Sequence, residues 1–426
     1  MKVLVIGSGG REHAIVWKLG FSRKVDRIYC APGNGGIGGQ ARCVDIKADN
    51  IKALADFAAK RKIHLTVVGP EAPLAMGIVD EFQRRKLKIF GPDKAATQLE
   101  SSKVFAKEFM RRHHIPTAPF KVFTTSAEAI GFCKSVQYPT VIKADGLAAG
   151  KGAVIAKDEK QAVRVIEDMM ERRLFGEAGA SIVVESFLRG QEVSIMAVAD
   201  GTTILPLLPS QDHKQAYDGD RGPNTGGMGA YCPVGFVDAD MMERINEHIL
   251  QPTINGLASE GVNYRGVLYA GLMLTDTGPK VLEFNCRFGD PEIQAVMPLL
   301  QNDLFELMMA AVNHKLSSFG KLNWRREAAA CVVMASKGYP GKYSTGAKIT
   351  GLEDVRDNNC FVFHAGTSRQ GARIVTSGGR VLGVMGMDKN LKLALNRAYR
   401  QVSRIRFEGA MYRRDIGSRP GQPVKI

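Results

Sequence analysis

The first hundred residues alternate short apolar segments with helical ones, and the apolar segments end at glycine or proline. Strands are predicted at residues 3–6, 27–30, 65–68 and 88–90, and helices at residues 11–19, 51–60 and 76–85. Short strands that alternate with helices form parallel β-α-β units. In such sheets ligands bind beyond the carboxyl ends of the strands, so the glycine-rich loops are the first candidates for a binding site.

The remaining chain has a different organisation. Its total of 426 residues suggests about three domains, because compact domains usually hold roughly 100–200 residues. Residues 211–231 are polar and rich in glycine and show little periodicity, so we expect a long functional loop there. After Arg326 the pattern predicts a strand-rich unit with a helix at residues 391–405.

Composition excludes several classes of protein. The net charge of +15 raises the possibility of RNA binding, but no arginine-rich run is interleaved with aromatic residues, so we expect no nucleic-acid partner. Seven cysteines without a Cys-x-x-Cys pair argue against a disulfide framework or a zinc site. The apolar N-terminus is interpreted as a strand rather than a signal peptide, and no apolar run approaches the ~20 residues that span a bilayer. We therefore expect a cytoplasmic protein.

The first glycine-rich loop is Gly7-Ser8-Gly9-Gly10-Arg11-Glu12-His13, between a predicted strand and a predicted helix. It offers backbone N–H groups and a helix N-terminus to an anion. It resembles the dinucleotide fingerprint G-x-G-x-x-G, but Glu12 replaces the third glycine. A nicotinamide-dependent dehydrogenase is therefore the weaker interpretation, whereas phosphate binding is compatible with the loop. A plain tight turn is the alternative without a function.

A second glycine-rich loop runs from Lys143 to Gly152, between predicted strands at residues 140–144 and 153–156. It is not a Walker A loop, because the spacing of its glycines is too short and no Ser or Thr follows Lys151. Two lysines that bracket small residues favour a flexible hairpin that folds over a triphosphate. An exposed hairpin with solvated lysines is the alternative.

Carboxylates and an amide follow in the second half of the chain. Glu185 and Glu192 flank a predicted bend and could hold a nucleoside, although two surface glutamates explain the pattern more simply. Glu283 and Asn285 are two residues apart on a predicted strand, so their side chains share a face and suit Mg²⁺. Arg287 could stabilise a transferring phosphoryl group on the same side. The residues alone leave open a half-buried strand in which Arg287 pairs with an acid at position 290.

The segment from Gln211 to Gly229 concentrates acids, His213, Lys214 and several glycines. Glycine lets a backbone approach a ligand closely, so an active-site loop is favoured over a linker. We assign His213 no role, and no Ser–His–Asp or Cys–His arrangement is evident.

These motifs, in this order, resemble the ATP-grasp superfamily, and more closely the glycinamide ribonucleotide synthetase family. The resemblance covers essentially the whole chain. It rests on residues 7–14, 69–74, 143–152, 211–214, 222–229, 282–292, 338–340, 363–367 and 412–417.

The resemblance implies a multidomain protein of α/β and α+β class. Its parts would be a doubly wound N-terminal α/β substrate domain at 1–102, an ATP-grasp region at 103–326 and a strand-rich C-terminal domain at 327–426. The lid would span about 121–192 within the ATP-grasp region. Because the chain ends soon after residue 417, we expect no fused domain after it.

The resemblance also implies an ATP site. Lys103 and Lys143 would hold phosphates, with Lys214 nearby, and the hairpin with Gly150 and Lys151 would close over them. Glu185, Phe187 and Leu188 would hold adenine, and Glu192 the ribose. Glu283 and Asn285 would bind Mg²⁺ or Mn²⁺. Residues 271–274 supply no further carboxylate, so this metal shell is incomplete.

A substrate site is implied beside the ATP site. The residues that would face 5-phosphoribosylamine are Gly9, Gly10, Arg11, Glu12, Asn34, Gly35, Glu71, Arg287 and Asp290. Those that would position glycine or the amine are Asp212, Asn224, Gly226, Gly227 and Met228. The catalytic residues would be Arg287, Lys151 and Asp212.

The reaction that the resemblance implies is an ATP-dependent carbon–nitrogen ligation in purine biosynthesis. The carboxylate of glycine would take the γ-phosphate of ATP to give glycyl phosphate and ADP, and 5-phosphoribosylamine would then displace phosphate, giving glycinamide ribonucleotide. We expect a monomer without a membrane partner, and we expect Arg287→Ala to abolish ligation while leaving the fold intact. The alternatives are another ATP-grasp carboxylate–amine ligase and, with less support, a nicotinamide-dependent dehydrogenase.

Overall fold

The computed structural model describes residues 1–147 and 152–418. The N-terminal elements are β1 Lys2–Gly7, α1 Gly10–Leu19, β2 Arg27–Pro32, β3 Arg42–Cys43, α2 Ile51–Arg61, β4 Leu65–Val68, α3 Glu71–Ala75, α4 Ile78–Arg84, β5 Ile89–Phe90 and α5 Gln98–Ser101. The five strands form a parallel sheet in the order β3-β2-β1-β4-β5. The predicted parallel β-α-β units are therefore confirmed.

Strand β1 lies at the centre of this sheet and is buried on both faces. Val3 and Val5 belong to one apolar core, which also contains residues of α1, and Leu4 and Ile6 to another, which contains residues of α2 and α4. A strand covered by helices on both faces reads as a continuous apolar run, as this one does. The run ends at Gly7, whose φ of +124° turns the chain into the first glycine-rich loop.

The next elements form a small antiparallel sheet. They are α6 Lys103–Arg112, β6 Phe120–Phe123, α7 Ser126–Cys133, β7 Thr140–Ala144, β8 Ala153–Ala156, α8 Glu159–Ile166 and β9 Ile182–Ser186. The strand order is β6-β9-β7-β8. Helices α7 and α8 cover one face of this sheet with their own apolar core. The other face is left for residues such as Lys143 and Glu185.

The strands of the central part of the chain belong to an antiparallel sheet, to a separate hairpin and to the C-terminal sheet. Its elements are β10 Gln191–Asp200, β11 Ile204–Pro206, β12 Gln211–Asp212, β13 Gln215–Tyr217, β14 Arg221–Asn224, β15 Gly229–Cys232, α9 Ala239–Ile245, α10 Gln251–Ser259, β16 Arg265–Thr275, β17 Gly278–Asn285, α11 Glu292–Val296 and α12 Leu304–Val312. Strands β11-β10-β16-β17 form an antiparallel sheet, and β13 and β14 form a separate hairpin.

The C-terminal sheet includes strands from the central part. Its own elements are β18 Ala328–Ser336, β19 Cys360–His364, β20 Thr367–Gln370, β21 Arg373–Thr376, β22 Arg380–Asp388, α13 Leu391–Val402 and β23 Ala410–Met411. The sheet order is β12-β15-β18-β22-β19, with β23 paired to β18. Strands β20 and β21 form a hairpin beside it.

The prediction of a structureless loop at residues 211–231 is wrong, because this segment contains β12 to β15. These strands are two to four residues long and rich in glycine and polar residues, so they show no apolar alternation. One partner of β15 is β12, and the other is β18, about a hundred residues further along the chain. Local sequence carries no signal for such a pairing.

The mixed α/β multidomain fold class is confirmed by these sheets. Within the two described ranges, every helix is too short or too polar to cross a lipid bilayer.

Candidate active site

The side chain of Glu12 folds back under the loop between β1 and α1 and accepts hydrogen bonds from it. Gly9 donates its backbone N–H to Glu12 Oε2 at 2.5 Å, and Arg11 Nε donates to Glu12 Oε1 at 2.6 Å. The side chain of Glu12 is buried between Gly7 and Gly69, and a Cβ on either glycine would lie within 2.6 Å of it. Glu12 therefore shapes the loop, with its carboxylate turned away from solvent.

Asp290 lies at the open side of this loop. Its Oδ1 accepts a hydrogen bond from Gln294 Nε2 at 2.7 Å, and its Oδ2 lies 3.0 Å from Arg380 Nη2. A Cβ on Gly9 would be 3.4 Å from Asp290 Oδ2. Burial opposes ionisation of Asp290, but Arg380 and Arg11 outweigh it and lower the pKa of the carboxyl. An ionised carboxylate therefore faces the first glycine-rich loop.

Asn34 holds the second N-terminal loop in place. Its Nδ2 donates to Ser8 O at 2.8 Å and to His364 O at 2.7 Å, and its Oδ1 accepts the N–H of Gly36 at 3.0 Å. Gly35 donates its N–H to Thr367 O at 3.0 Å. The C-terminal part thus packs directly against the loops at the carboxyl ends of β1 and β2.

Arg287 is enclosed by two glutamates. Its Nε lies 3.2 Å from Glu100 Oε1 and 3.4 Å from Glu71 Oε2, and its Nη2 donates to Asn285 Oδ1 at 3.2 Å. Burial raises the pKa of Glu100, whereas Arg287 lowers that of Glu71 against the effect of burial. The ion pair of Arg287 with Asp290, considered from the sequence, is replaced by these contacts, because Asp290 pairs with Arg380.

Two predicted phosphate lysines point into the cleft between the small sheet and β17. Lys103 Nζ donates to Gly146 O at 2.7 Å, and Lys143 Nζ donates to Leu282 O at 2.9 Å. Lys143 Nζ also lies 2.5 Å from Glu185 Oε1. Burial lowers the pKa of Lys103, although Glu283 opposes this effect. Both amines therefore stand at the edge of the strand that carries Glu283.

Lys107 forms a second ion pair with Glu185, and the sequence analysis did not identify it. Its Nζ contacts Glu185 Oε2 and donates to Thr117 Oγ1 at 2.7 Å. Burial lowers the pKa of Lys107 to about 8, against the attraction of Glu185. Lys143 and Lys107 together lower the pKa of Glu185, whose burial has the opposite effect. Glu185 is thus an ionised carboxylate held by two amines.

Lys214 joins the two carboxylates assigned to ribose and metal. Its Nζ lies 3.7 Å from Glu192 Oε2 and 3.6 Å from Glu283 Oε1. Burial would lower the pKa of Lys214, but Glu192, Asp212 and Glu283 outweigh it and raise that pKa. Lys214, Lys143 and Lys103 in turn lower the pKa of Glu283 against the effect of burial. Three amines, from α6, from β7 and from the segment between β12 and β13, therefore surround Glu283.

Glu283 and Asn285 project from the same side of β17, as predicted. Their oxygen atoms suit a hard cation such as Mg²⁺, which takes several of its ligands from phosphate and water. The facing position on β16 is Gly271, so no side chain from that strand crowds Glu283. Across residues 1–147 and 152–418, no group of three or more His, Cys, Asp or Glu side chains forms a complete metal site. The donor set fits a metal that arrives with a nucleotide.

The bend after β9 borders a cavity of about 330 Å³. Leu188, which follows in the bend, is half-buried. The cavity is lined by Phe120, Tyr138, Thr140, Glu185, Phe187 and Arg189, among others. The cavity thus combines aromatic and polar groups and lies beside Glu185, the carboxylate that Lys143 and Lys107 contact. Such a lining suits a flat heterocycle.

The glycine-rich loop after β14 is only partly at the site. Gly226 and Gly227 approach Arg380 and Asp290 through their carbonyl groups and close packing. Asn224 is exposed on the β13–β14 hairpin. Met228 is fully buried, its backbone N–H donates to His213 O, and its carbonyl accepts the N–H of Val333 in β18.

Sequence reasoning missed several groups that complete the site. Gly150 and Lys151, which it did name, lie outside the described residues. The missed groups are Glu100, Lys107, Gln294 and Arg380. Glu100, Lys107 and Gln294 stand outside the glycine-rich motifs, and Arg380 comes from a strand 90 residues beyond the acid that it holds.

Family models match most of the chain in three consecutive parts. These are the N domain of phosphoribosylglycinamide synthetase at residues 1–100, its ATP-grasp (A) domain at residues 101–293 and its C domain at residues 329–419. The chain is 52% identical over 418 residues to phosphoribosylamine–glycine ligase of Caldanaerobacter subterraneus, which covers 98% of this chain and 100% of that protein.

Two further relatives are also similar to this chain along 98% of its length. The human trifunctional purine biosynthetic protein adenosine-3 is 48% identical over 98% of this chain, which spans 42% of that larger protein. The crystal structure of phosphoribosylamine–glycine ligase from Thermotoga maritima has a TM-score of 0.85 at 34% identity, and covers 98% of this chain and 100% of that chain.

The fold and the amine-lined carboxylate site define an ATP-grasp enzyme. Within that class, the chain belongs to the phosphoribosylglycinamide synthetase family.

Proposed function

We propose that this chain joins glycine to 5-phosphoribosylamine, with cleavage of ATP to ADP and phosphate, and so supplies glycinamide ribonucleotide to purine biosynthesis. The relatives named above support the assignment. One structural observation carries it: Glu283, which three amines surround, lies on β17 two residues before Asn285. Asn285 accepts a hydrogen bond from Arg287, and Arg287 pairs with Glu71 and Glu100 beside the N-terminal loops.

The cleft around Glu283 is the proposed ATP site. Lys103, Lys143 and Lys214 would neutralise the phosphates, and the hairpin with Gly150 and Lys151 would close over them. The cavity at Glu185, Phe187 and Leu188 would hold adenine, and Glu192 the ribose. The short distances from Lys214 to Glu192 and Glu283 support a nucleotide that extends along this line.

Glu283 and Asn285 would hold Mg²⁺ or Mn²⁺ against the phosphates. When bound, such a cation supplies charge neutralisation for the transferring phosphoryl group.

The first step would be attack of a glycine carboxylate oxygen on the γ-phosphorus of ATP. The bond from that phosphorus to the β,γ-bridging oxygen breaks, ADP leaves, and glycyl phosphate forms. Arg287 and the lysines would offset the negative charge that two anionic reactants bring together. Fixed positive charges in a partly buried cleft do this without reorganisation, because their partners already hold them in place.

The second step would be attack of the 5-phosphoribosylamine amine on the acyl carbon. The carbon–oxygen bond to phosphate breaks, and the proton that the amine loses leaves with inorganic phosphate. Gly9, Gly10, Arg11, Asn34, Gly35, Glu71 and Asp290 would bind the amine substrate, with Glu12 shaping the loop from inside. Asp212, Asn224 and the Gly226–Gly227 peptides would position glycine, while the burial of Met228 limits that residue to a supporting role.

We expect the molecule to act as a cytoplasmic monomer with functional parts at 1–102, 103–326 and 327–426, and a lid at about 121–192. The antiparallel sheet β6-β9-β7-β8 with its own core supports the lid assignment.

The test is ADP release by the purified enzyme, with each substrate omitted in turn. We expect release that requires both glycine and 5-phosphoribosylamine, with glycinamide ribonucleotide formed in equal amount. Equal ADP release with bicarbonate or D-alanine in place of glycine would instead support another carboxylate–amine ligase. Oxidation of NADH would support the dehydrogenase alternative.

A further inference from the structure

The peptide of Gly226 is held from both sides by the C-terminal part of the chain. Its N–H donates to Tyr339 Oη at 3.0 Å, and its carbonyl accepts from Arg380 Nη1 at 2.5 Å. Tyr339 lies in the segment that follows β18, and Arg380 is the first residue of β22, so the two contacts come from neighbouring positions at one end of the C-terminal sheet. We call this pair of side chains the Gly226 clamp.

Arg380 also holds the loop that carries Asp290. Its Nη1 donates to Asp290 O at 2.7 Å, and its Nη2 lies 3.0 Å from Asp290 Oδ2. One guanidinium therefore joins the glycine-rich loop to the carboxylate that faces the N-terminal loop. Bidentate contacts of a planar guanidinium fix direction as well as distance.

The surroundings of the clamp leave it little freedom. A Cβ on Gly227 would meet Pro291, and its φ of +108° already excludes most side chains. Tyr339 packs over Gly379, where a Cβ would lie 2.8 Å from Tyr339 Cε2. Close packing on both sides means that movement of the clamp would be passed to Gly226 and Asp290.

We propose that Arg380 and Tyr339 are positioning residues that set the Gly226 peptide and the Asp290 carboxylate for binding of glycine and 5-phosphoribosylamine. The inference rests on the proposed function. It makes the C-terminal sheet part of the substrate site, although neither side chain needs to touch a reacting atom. The proposed ATP site lies around Glu283, and its described residues receive no hydrogen bond or ion pair from the side chain of Arg380 or Tyr339. Binding of ATP should therefore be independent of the clamp.

The test compares steady-state constants of Arg380→Met, Arg380→Lys and Tyr339→Phe with wild type. We expect KM for glycine or 5-phosphoribosylamine to rise about tenfold in Arg380→Met and about threefold in Tyr339→Phe, from loss of charged and neutral hydrogen bonds. KM for ATP should stay within about twofold, and Arg380→Lys should recover part of the loss, because it restores charge without bidentate geometry.

Two matched controls separate positioning from general stability. Arg397→Met removes an arginine of α13, the helix that follows β22, which pairs with Asp357 and Asp388 at 2.5 Å, away from the site. Tyr343→Phe removes the hydroxyl of the tyrosine next to Tyr339, whose ring centroid is 6.2 Å away. Both controls should retain wild-type KM values.

The outcomes are distinguishable. If wild type fails to ligate glycine to 5-phosphoribosylamine, the proposed function fails. If wild type ligates but KM for ATP rises as much as the other two, or Arg397→Met matches Arg380→Met, the clamp is overturned. Should Arg380→Met not fold, Arg380→Lys and Tyr339→Phe decide, and unchanged KM values in both would overturn the proposal.

Discussion

Arg287 is a single charge that faces two acids: it opposes the rise in pKa that burial causes in Glu100, and it lowers the pKa of Glu71. Its guanidinium lies 3.2 Å from Glu100 Oε1, and Glu100 also accepts the N–H of Cys286 at 2.7 Å. Only 8% of Glu100 is exposed, so water cannot replace the arginine. The sequence-based expectation that Arg287→Ala leaves the fold intact therefore conflicts with these contacts.

We predict that Arg287→Met lowers the free energy of unfolding by about 3–5 kcal/mol, because it leaves a buried carboxylate without its partner. Urea denaturation measures the change. Adding Glu100→Gln to the same chain should restore a large part of the loss, since the remaining group is then neutral. A single variant as stable as wild type would contradict the role of Arg287 in holding these acids.

Parts of the site could be predicted from individual residues because strand geometry fixes the face on which a side chain lies. Glu283 and Asn285 share a face by alternation, and Lys143 and Glu185 lie on neighbouring strands β7 and β9, two positions apart in register. The bulge that shifts the register at Gly271 and points Leu282 O toward Lys143 has no such signal. A local sequence pattern predicts on which face of a sheet a side chain lies, whereas the position of a β-bulge depends on the partner strand.

At the scale of elements, the turns beyond β1 and β4 share one buried side chain. Glu12 lies between Gly7 and Gly69, and a Cβ on Gly69 would stand 2.6 Å from Glu12 Cγ. The broken dinucleotide fingerprint has its explanation here, because the position of the missing glycine carries the group that fills the space between two turns. Gly69 is thus required by close approach.

We predict that Gly69→Ala lowers the free energy of unfolding by about 1–3 kcal/mol, because Glu12 must move and release the N–H of Gly9. The matched control is Gly131→Ala inside α7, where a Cβ meets nothing within 4 Å. That change should stabilise the protein by up to about 1 kcal/mol through helix propensity. Thermal and urea unfolding of both variants would check this, and equal effects would contradict the packing argument.

Elements with strong local patterns were predictable, and those with weak ones were not. Strands β7 and β8 lie where the short apolar segments predict them, at Thr140–Ala144 and Ala153–Ala156. Strands β12 to β15 were missed, because glycine and polar residues form them and tertiary pairing holds them. The same pairing brings β15 onto β18 and so places the glycine-rich loop beside Arg380.

At the scale of the whole molecule, a pair of histidines connects α1 of the N-terminal part with β19 of the C-terminal sheet. His364, at the end of β19, donates its N–H to His13 Nδ1 in α1 at 2.8 Å. The ring of His13 packs edge to face against Phe361 and Phe363, with centroids 5.5 and 5.9 Å apart. His13 is therefore neutral, since a proton on Nδ1 would oppose the backbone N–H of His364.

Burial lowers the pKa of His13 from 6.5 to about 3 and that of His364 from 6.5 to about 4, with Arg369 adding to the second shift. Between these values and 6.5 the unfolded chain binds more protons than the folded one, so stability rises with pH and is lost as pH falls below 6.5.

We predict that protonation of His13 and of His364 in the unfolded chain each removes about 2 kcal/mol of unfolding free energy between pH 7 and pH 5. Urea denaturation of His13→Asn, whose side-chain oxygen can replace Nδ1 as acceptor, should show a loss of unfolding free energy that is smaller than in wild type by about 2 kcal/mol.

His314→Asn is the control, because His314 is exposed and its φ of 54° is one that asparagine tolerates. If His13→Asn and His314→Asn lose stability with acid as steeply as wild type, the junction of α1 with β19 is not what acid weakens. If only His13→Asn is protected, the contact that places the C-terminal sheet against the N-terminal loops depends on a neutral imidazole.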